Sequence, residues 1–216
     1  MARTGIFGGS FNPIHYGHLL IADQVVEILN LDRLLFIPAA EPPHKTTGGL
    51  AAAEQRHAMV QLATASDRRF AVSDIELRRP GPSYTVDTLE ALSASGDELI
   101  LVMGSETFLD LLSWYAPQRL PELARLAVVP RTGSAFDPEG AAAQKVLRDI
   151  GAAPFVRVTE GALPPRGTLL VHALSLPVSA SDIRERVRRR RSVAYRLPPA
   201  VIAYMETHGL YRDVTR

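Results

Sequence analysis

The stretch Thr4-Gly-Ile-Phe-Gly-Gly-Ser-Phe-Asn-Pro-Ile-His-Tyr-Gly-His18, followed by the apolar residues 19–22, decides the fold. Its opening predicts a short buried strand, its Gly-, Asn- and Pro-rich centre a turn, and its end a helix that begins near Gly17. Gly8 and Gly9 lack a Cβ, so the backbone can bend sharply and approach a ligand closely. The helix start directs unpaired N–H groups and a positive dipole end toward the same space. The stretch therefore predicts a strand-turn-helix site for an anion.

Two histidines, His15 and His18, follow this turn three residues apart. Imidazole can donate hydrogen bonds to phosphate oxygens, and it carries positive charge when a bound triphosphate raises its pKa. A lone histidine is more often a packing or capping residue, but the glycine turn, the helix start and the His-x-Gly-His spacing together favour a phosphate site. The lysine of a P-loop is absent and Gly-x-Gly-x-x-Gly is not matched, so neither a Walker motif nor a dinucleotide-binding motif fits.

The composition favours one α/β domain and excludes several classes of protein. With 216 residues, 46% of them hydrophobic, the chain is long enough for a sizeable core. Its 24 basic and 23 acidic side chains give a net charge of +1, so no overall field favours nucleic acid or a membrane. The absence of cysteine excludes disulfides, thiol chemistry and cysteine-zinc sites. Because the sequence has no membrane-length apolar segment and no signal core, we expect a cytoplasmic protein.

The rest of the chain alternates apolar runs of strand length with helical patterns, which predicts an α/β fold of about six or seven strands. We expect a single domain over residues 1–216, with a C-terminal helical portion from about residue 179 packed on the sheet. The predicted strands after the first cover residues 34–38, 70–77, 98–104, 126–130, 155–158 and 168–172. The predicted helices cover residues 18–30, 51–66, 139–150 and 199–207, with further starts capped by Ser83 or Thr85 and by Ser179 or Ser181.

The strand at residues 98–104 is followed by Ser105 and Glu106, which indicates a second switch from strand to helix. Ligands of open α/β sheets bind beyond such carboxyl ends. Trp114, the only tryptophan, stands eight residues after Glu106. A single tryptophan is more often a core residue than a ligand platform, but the position after a sheet switch keeps a ligand contact open as a second interpretation.

Cations that could bind phosphate lie in two later segments. In Pro42-Pro43-His44-Lys45, two prolines restrict where the following imidazole and ammonium can point, although a solvated connector would have the same composition. In the helix that begins near Ser179, Arg184 lies beside the N–H groups that would bind an anion. The four arginines at residues 188–191 are better explained as a solvated helix end than as a nucleic-acid contact, because no aromatic residues are interleaved.

Together these motifs resemble bacterial nicotinate-nucleotide adenylyltransferases, a branch of the HxGH nucleotidyltransferase superfamily, over essentially the whole chain. The matching segments are residues 8–18, 42–45, 83–89, 114–115, 179–184 and 208–211. The resemblance implies a Rossmann-like, doubly wound, mainly parallel sheet with helices on both faces. It also implies direct transfer of AMP from ATP to nicotinate mononucleotide, giving nicotinate adenine dinucleotide and pyrophosphate in NAD biosynthesis. Magnesium is the implied cofactor, held by phosphates and by no protein side chain.

The resemblance also assigns roles to residues of this chain. The implied catalytic residues are His15, His18, Lys45 and Arg184. The implied ATP contacts are Gly8, Gly9, Ser10, Phe11, His15, Gly17, His18, Gly104, Ser179, Ser181, Ile183 and Arg184. The implied contacts to nicotinate mononucleotide are Asn12, His44, Lys45, Ser83, Tyr84, Thr85, Glu106, Trp114 and Tyr115. Two residues depart from the family pattern, since Glu106 replaces the usual Asp and Ser181 the usual Thr.

In this interpretation Trp114 stacks on the pyridine ring, and backbone N–H groups near Thr85 and Tyr115 receive the nicotinate carboxylate. An amide would turn its own NH2 donors toward those N–H groups, so the site can favour the acid. The alternatives are a pantetheine-phosphate or nicotinamide-nucleotide adenylyltransferase and, from another class, a non-catalytic nucleotide sensor or RNA-binding module. A class I aminoacyl-tRNA synthetase has a similar motif, but this chain is short and has no matching lysine-rich loop. We expect small-molecule substrates, no nucleic-acid or membrane partner, and leave homo-oligomerisation open.

Overall fold

The computed structural model describes residues 2–43, 49–131, 133–158 and 163–212. His44 and Lys45, both implied site residues, lie outside the described residues. The described strands form one sheet in the order β3-β2-β1-β4-β5-β7-β6, and every neighbouring pair is parallel. The strands are β1 (Arg3–Gly9), β2 (Arg33–Pro38), β3 (Phe70–Val72), β4 (Glu98–Gly104), β5 (Arg125–Val129), β6 (Phe155–Arg157) and β7 (Thr168–Leu170).

The helices alternate with the strands along the chain, as in a Rossmann-like fold. They are α1 (Tyr16–Ile28), α2 (Ala53–Thr64), α3 (Ile75–Arg78), α4 (Thr85–Ser93), α5 (Ser105–Leu109), α6 (Leu120–Leu123), α7 (Ala141–Ile150), α8 (Ala180–Arg188) and α9 (Pro199–Thr207), with short 3₁₀ turns at Leu111–Ser113 and Pro117–Arg119. Among the described residues, we find no helix with the length and apolar character that crossing a membrane requires. The predicted parallel α/β fold is confirmed.

Alternate residues of β4 point to opposite faces of the sheet, and both faces are covered. Ile100 and Val102 belong to one apolar cluster, whereas Leu101 and Met103 belong to a second. The α1-side cluster includes Ala22, Val25, Met59, Val60, Ile100, Val102, Ile183, Val201 and Met205. The α7-side cluster includes Val86, Leu89, Leu101, Met103, Phe108, Val146 and Leu147. Residues of α8 and α9 thus pack in the same core as the central strands.

The strand order reverses between β1 and β4, which are adjacent although β2 and β3 lie between them in the sequence. Helices leave such neighbouring strands toward opposite faces, so a crevice opens beyond their carboxyl ends. These ends are Gly8 and Gly9 in β1 and Gly104 in β4. The fold therefore places the two predicted strand-to-helix switches side by side.

The predicted strand at residues 70–77 is wrong beyond Val72. Among the described strands β3 is an edge strand that pairs with β2 alone, and Ser73 N–H makes one more hydrogen bond, to Phe36 O. A short helix then begins at Ile75, whose N–H donates to Ser73 Oγ. The alternating pattern misled the prediction, because the residue that this helix buries is the polar Glu76, which is 7% exposed, while the apolar Ile75 and Leu77 are only partly buried.

The cap prediction for α4 is also wrong, since no described side chain caps this helix. The helix begins at Thr85, and Ser83 Oγ instead accepts a hydrogen bond from Glu41 N–H. The cap of α8 is confirmed for one of the two candidates, because Ser179 Oγ accepts from Asp182 N–H at 3.1 Å. Strands β6 and β7 are shorter than predicted and end at Arg157 and Leu170.

Candidate active site

A cavity of about 400 Å³ lies beyond the carboxyl ends of β1, β2 and β4, in the crevice of the strand-order reversal. Ten of the implied site residues line it: Gly8, Gly9, Ser10, Ser83, Tyr84, Thr85, Gly104, Glu106, Trp114 and Tyr115. These residues include implied contacts to ATP and implied contacts to nicotinate mononucleotide, and they come from segments that are far apart in the chain. The volume suits a small organic ligand.

One wall of this cavity is aromatic. The rings of Tyr84 and Tyr115 stack with their centroids 4.5 Å apart, and Tyr115 remains 58% exposed. Trp114 is half-buried and packs against the α7-side cluster while it also lines the cavity. Trp114 therefore supports the core, as the first interpretation predicts, and its place at the cavity wall is compatible with the ligand contact, which stays a prediction. A flat aromatic ligand fits such a wall.

Two polar residues of the cavity, Glu76 and Thr88, were not predicted as site residues. Thr88 Oγ1 donates to Glu76 Oε1 at 2.8 Å, and Arg79 Nη2 donates to Thr88 Oγ1 at 3.0 Å. Burial raises the pKa of Glu76, while hydrogen bonds from the hydroxyls of Thr88 and Ser83 act in the opposite direction. No signal in the sequence identifies Glu76, because the pattern there indicates a strand.

The two histidines of the opening motif lie together at the start of α1. Their rings stack with centroids 3.7 Å apart, and His15 N–H donates to His18 Nδ1 at 3.3 Å. Because His18 Nδ1 accepts this bond, a neutral His18 carries its proton on Nε2. Burial, assisted by the positive charge of Arg131, lowers the pKa of His15 to about 4. In the ligand-free protein His15 is therefore neutral at neutral pH.

Gly17 is required by the packing of this motif. A Cβ at this position would lie 3.0 Å from the His15 ring and 3.5 Å from Val178 O. The carbonyl of Val178 lies just before α8, so the absence of a side chain lets the starts of α1 and α8 approach each other. The two predicted anion sites, one on each helix start, are thus adjacent.

The side chains of α8 meet the β1 turn directly. Arg184 Nη1 donates to Asn12 O at 2.7 Å, and Ser181 Oγ lies 3.1 Å from Ser179 Oγ. Ile183, in contrast, is fully buried in the α1-side cluster, and its N–H donates to Ser179 O within the helix. The structure therefore leaves Ile183 neither an exposed side chain nor an unpaired N–H for ATP.

Asn12 and Phe11, two implied substrate contacts, are buried and do not line the cavity. The Asn12 amide is engaged on both sides, because Nδ2 donates to Gly49 O at 2.8 Å and Oδ1 accepts from Ala51 N–H at 3.1 Å. Tyr211 also donates its hydroxyl to Asn12 Oδ1 at 2.7 Å. Phe11 has a left-handed φ of 42°, and its ring packs edge-on against Phe7 and Phe36. In this structure both residues shape the turn.

Glu106 and Arg131 form a charged pair at the open side of the site. Glu106 Oε2 lies 3.7 Å from Arg131 Nη2, and their side chains are 70% and 63% exposed. Arg131 follows the carboxyl end of β5 by two residues, a position that could have identified it as a site candidate. The structure thus adds a cation near His15 that the sequence motifs do not include.

Comparison with known proteins gives a consistent family. The cytidylyltransferase-like family model matches residues 6–186. A relative from Thermus thermophilus is 43% identical over 97% of this chain and 100% of its own length, and one from Roseiflexus sp. is 43% identical over 98% of both chains. Both bear the name "Probable nicotinate-nucleotide adenylyltransferase".

Solved structures show the same fold. The Plasmodium falciparum nicotinic acid mononucleotide adenylyltransferase complexed with NaAD matches with a TM-score of 0.74 over 98% of both chains, at 18% identity. A second structure of that enzyme, complexed with APC, matches with a TM-score of 0.71 over 98% of both chains, at 17% identity.

Proposed function

The chain belongs to the nicotinate-nucleotide adenylyltransferase family, and on that premise we propose how its site carries out the reaction. The enzyme transfers AMP from ATP to nicotinate mononucleotide, forming nicotinate adenine dinucleotide and pyrophosphate in NAD biosynthesis. We base the assignment of roles on one observation, the junction of an aromatic cavity with a histidine and arginine cluster where the strand order reverses.

The aromatic cavity receives the nicotinate half of the substrate. Trp114 stacks on the pyridine ring, beside the paired rings of Tyr84 and Tyr115. The first N–H groups of α4, which no described side chain caps, support binding of the nicotinate carboxylate near Thr85. The pyridine ring of a nicotinamide substrate would fit equally well, but its NH2 group would face N–H donors, and the site therefore favours the acid.

The cluster at the starts of α1 and α8 receives the triphosphate of ATP. His18 donates through Nε2, Arg184 supplies a fixed positive charge, and the hydroxyls of Ser179 and Ser181 add donors. A bound triphosphate raises the pKa of His15 from its low value in the ligand-free protein, so that the imidazole can take up a proton and offset phosphate charge. His44 and Lys45, which lie outside the described residues, would add charge.

The reaction then needs no nucleophile from the protein. An oxygen of the mononucleotide phosphate attacks the α-phosphorus of ATP and forms a P–O bond, while the bond from that phosphorus to the bridging oxygen breaks and pyrophosphate leaves. The catalytic work is alignment of two anions and neutralisation of the leaving group. The side chains at the junction are suited to both tasks, and Arg131 provides a further cation at its open side.

Magnesium fits this site as a companion of ATP. Among the described residues, no group of three or more His, Asp or Glu side chains is placed to hold a metal ion. Magnesium keeps several waters and prefers phosphate oxygens in nucleotide sites, so it would enter bound to the triphosphate and need no ligand from a protein side chain. When bound, it supplies charge neutralisation for the leaving pyrophosphate.

The test is pyrophosphate release with ATP and magnesium, measured in parallel with nicotinate mononucleotide, nicotinamide mononucleotide and phosphopantetheine. We expect kcat/KM to be at least about 100-fold higher for nicotinate mononucleotide than for its amide, since a site of N–H donors discriminates strongly against misplaced donors. Equal use of the first two substrates would contradict the carboxylate site but keep the reaction. ATP binding without pyrophosphate release from any acceptor would identify a nucleotide sensor instead.

A further inference from the structure

Arg56 on α2 is a fully buried arginine whose guanidinium binds only backbone carbonyls among the described residues. Nη1 donates to Ser10 O at 2.9 Å and to Ala39 O at 2.5 Å. Nη2 donates to Ala40 O at 3.0 Å, and Nε donates to Ala51 O at 2.9 Å. One side chain therefore joins three backbone segments that are separate in the sequence.

Burial of this charge is unfavourable by itself. Burial lowers the pKa of Arg56, while the charges of Tyr211, Glu54 and Glu76 act in the opposite direction, and a guanidinium stays protonated in proteins. In the described part of the chain no carboxylate is hydrogen-bonded to it, so the four carbonyls provide its compensation. An apolar side chain could fill this part of the core without the cost of burying a charge. The presence of arginine here therefore indicates a function for the several N–H donors of its guanidinium.

The joined segments border the candidate active site, and both line the cavity. Ser10, an implied ATP contact, belongs to the turn that leads from β1 to His15 and His18. Ala39 and Ala40 follow β2 and lead to Pro42 and Pro43 at the cavity wall, next in the sequence to the implied nicotinate-side residues 44–45.

Asn12, in the same turn as Ser10, makes a second tie, to Gly49 and Ala51 just before α2. The backbone bond from Ala39 N–H to Gly9 O joins the ends of β1 and β2, and beyond it Arg56 ties the β1 turn at Ser10 to Ala39 and Ala40.

We propose that Arg56 is a positioning residue that sets the distance between the ATP half and the nicotinate half of the active site. This inference rests on the proposed function. In-line attack requires the two phosphates to meet with near-correct geometry, and a displacement of about 1 Å costs on the order of 100-fold in rate. The planar fork of arginine reaches acceptors on separate segments, whereas the single ammonium of lysine cannot span them.

The experiment compares Arg56→Lys with the wild-type enzyme. We expect kcat for adenylyl transfer to nicotinate mononucleotide to fall about 100-fold, because the two halves of the active site are no longer held at the correct separation. The dissociation constants of ATP and of nicotinate mononucleotide, each measured alone by calorimetry with magnesium, should change less than about threefold, because each half keeps its own contacts. A residue that only stabilises the fold would not produce this split between kcat and binding.

Arg125→Lys is the matched control. Arg125 also donates to backbone carbonyls, those of Gly167 at 2.9 Å and Pro164 at 2.6 Å, but it lies at the amino end of β5, at the opposite end of the strand from the site. Its substitution should leave kcat within about twofold, even where it lowers the melting temperature.

Failure of the inference is distinguishable from failure of the proposed function. If wild-type enzyme releases no pyrophosphate, the proposed function is wrong. If wild type is active and Arg56→Lys keeps kcat within about threefold, or loses affinity for both substrates at unchanged kcat, the positioning role is overturned. Should Arg56→Lys not fold, Arg56→Gln, which keeps an NH2 donor, takes its place. If neither variant folds, Arg56 is a residue of the fold alone, which also overturns the proposal.

Discussion

His15 is a side chain of the fold to which the proposed mechanism also gives a role in the reaction. It is 6% exposed, it precedes the first residue of α1, and its ring stacks on His18. The sequence motif predicted an anion-binding imidazole but could not reveal that burial keeps His15 neutral before ATP arrives. Desolvation depends on packing by distant segments, and the charge of Arg131, which acts in the same direction, also comes from far along the chain. Spacing in the sequence carries no information on either effect.

This burial makes stability depend on pH. The pKa of His15 is about 4 in the folded protein and about 6.5 when unfolded, so between these values the unfolded chain binds the extra proton. The contribution of His15 is therefore fully present above pH 6.5 and is lost as the pH falls toward 4. Between pH 7 and pH 5 we expect the wild type to lose about 2 kcal/mol more unfolding free energy than His15→Asn, measured by urea denaturation.

Asn is a suitable replacement because it does not titrate and is accepted at helix N-caps. The matched control is His208→Asn, which replaces an exposed histidine that follows α9. This variant should lose stability on acidification in parallel with the wild type. The same pH dependence in wild type and His15→Asn would disprove the assignment.

At the scale of single elements, the proposed mechanism depends on helix starts. α1 and α8 begin beside each other, and α4 begins at the cavity without a cap from any described side chain. Such unsatisfied N–H groups suit anions. α8 differs from α4 in having a cap, the hydroxyl of Ser179.

The cap of α8 should contribute measurably to the stability of the ligand-free protein. Replacing Ser179 by Ala removes the acceptor of Asp182 N–H, and we expect an unfolding free energy lower by about 1 kcal/mol. Ser181→Ala serves as the control, because Ser181 is exposed and its hydroxyl contacts only Ser179 Oγ among the contacts seen. It should cost less than about 0.5 kcal/mol. Equal losses from the two substitutions would show that the cap is unimportant.

Element prediction from the sequence succeeded where local patterns were strong. The buried runs of β1, β2 and β4 and the helices α1, α2 and α7 lie within about two residues of their predicted bounds. It failed at α3, where the chain buries the polar Glu76 in a helix although the pattern alternates like a strand. It also failed at Ser83, whose hydroxyl accepts a hydrogen bond from Glu41 N–H and caps no helix. Glu76 at the cavity wall, and Arg56 and Arg131 with their proposed roles, were missed for the same reason, since their places depend on contacts between distant segments.

At the scale of the whole molecule, the sheet separates two cores that share their strands. Leu101 and Val102 are neighbours in β4 but contribute to opposite clusters. α9 adds Val201 and Met205 to the α1-side cluster, and α7 completes the other. Such an arrangement supports one cooperative unit, as proposed for the single domain.

A destabilising substitution on one face of the sheet should therefore also lower the urea midpoint measured on the other face. Met205 is 3% exposed in the α1-side cluster, and Met205→Ala should lower the unfolding free energy by about 2–5 kcal/mol. The fluorescence of Trp114, which packs on the opposite face, should report the same shift in urea midpoint as far-UV circular dichroism. Two separate transitions, or a Trp114 signal insensitive to Met205→Ala, would show that the C-terminal helices fold as an independent unit.

The central place of β1 also has a consequence for synthesis on the ribosome. β1 can pair with β2 early, but its other neighbour, β4, ends at Gly104, and Met205 covers the α1-side face only about 100 residues later. At a rate of roughly 5–20 residues per second, that face stays incompletely covered for about 5–20 s. We therefore expect this apolar face to be exposed to aggregation until translation has delivered α9.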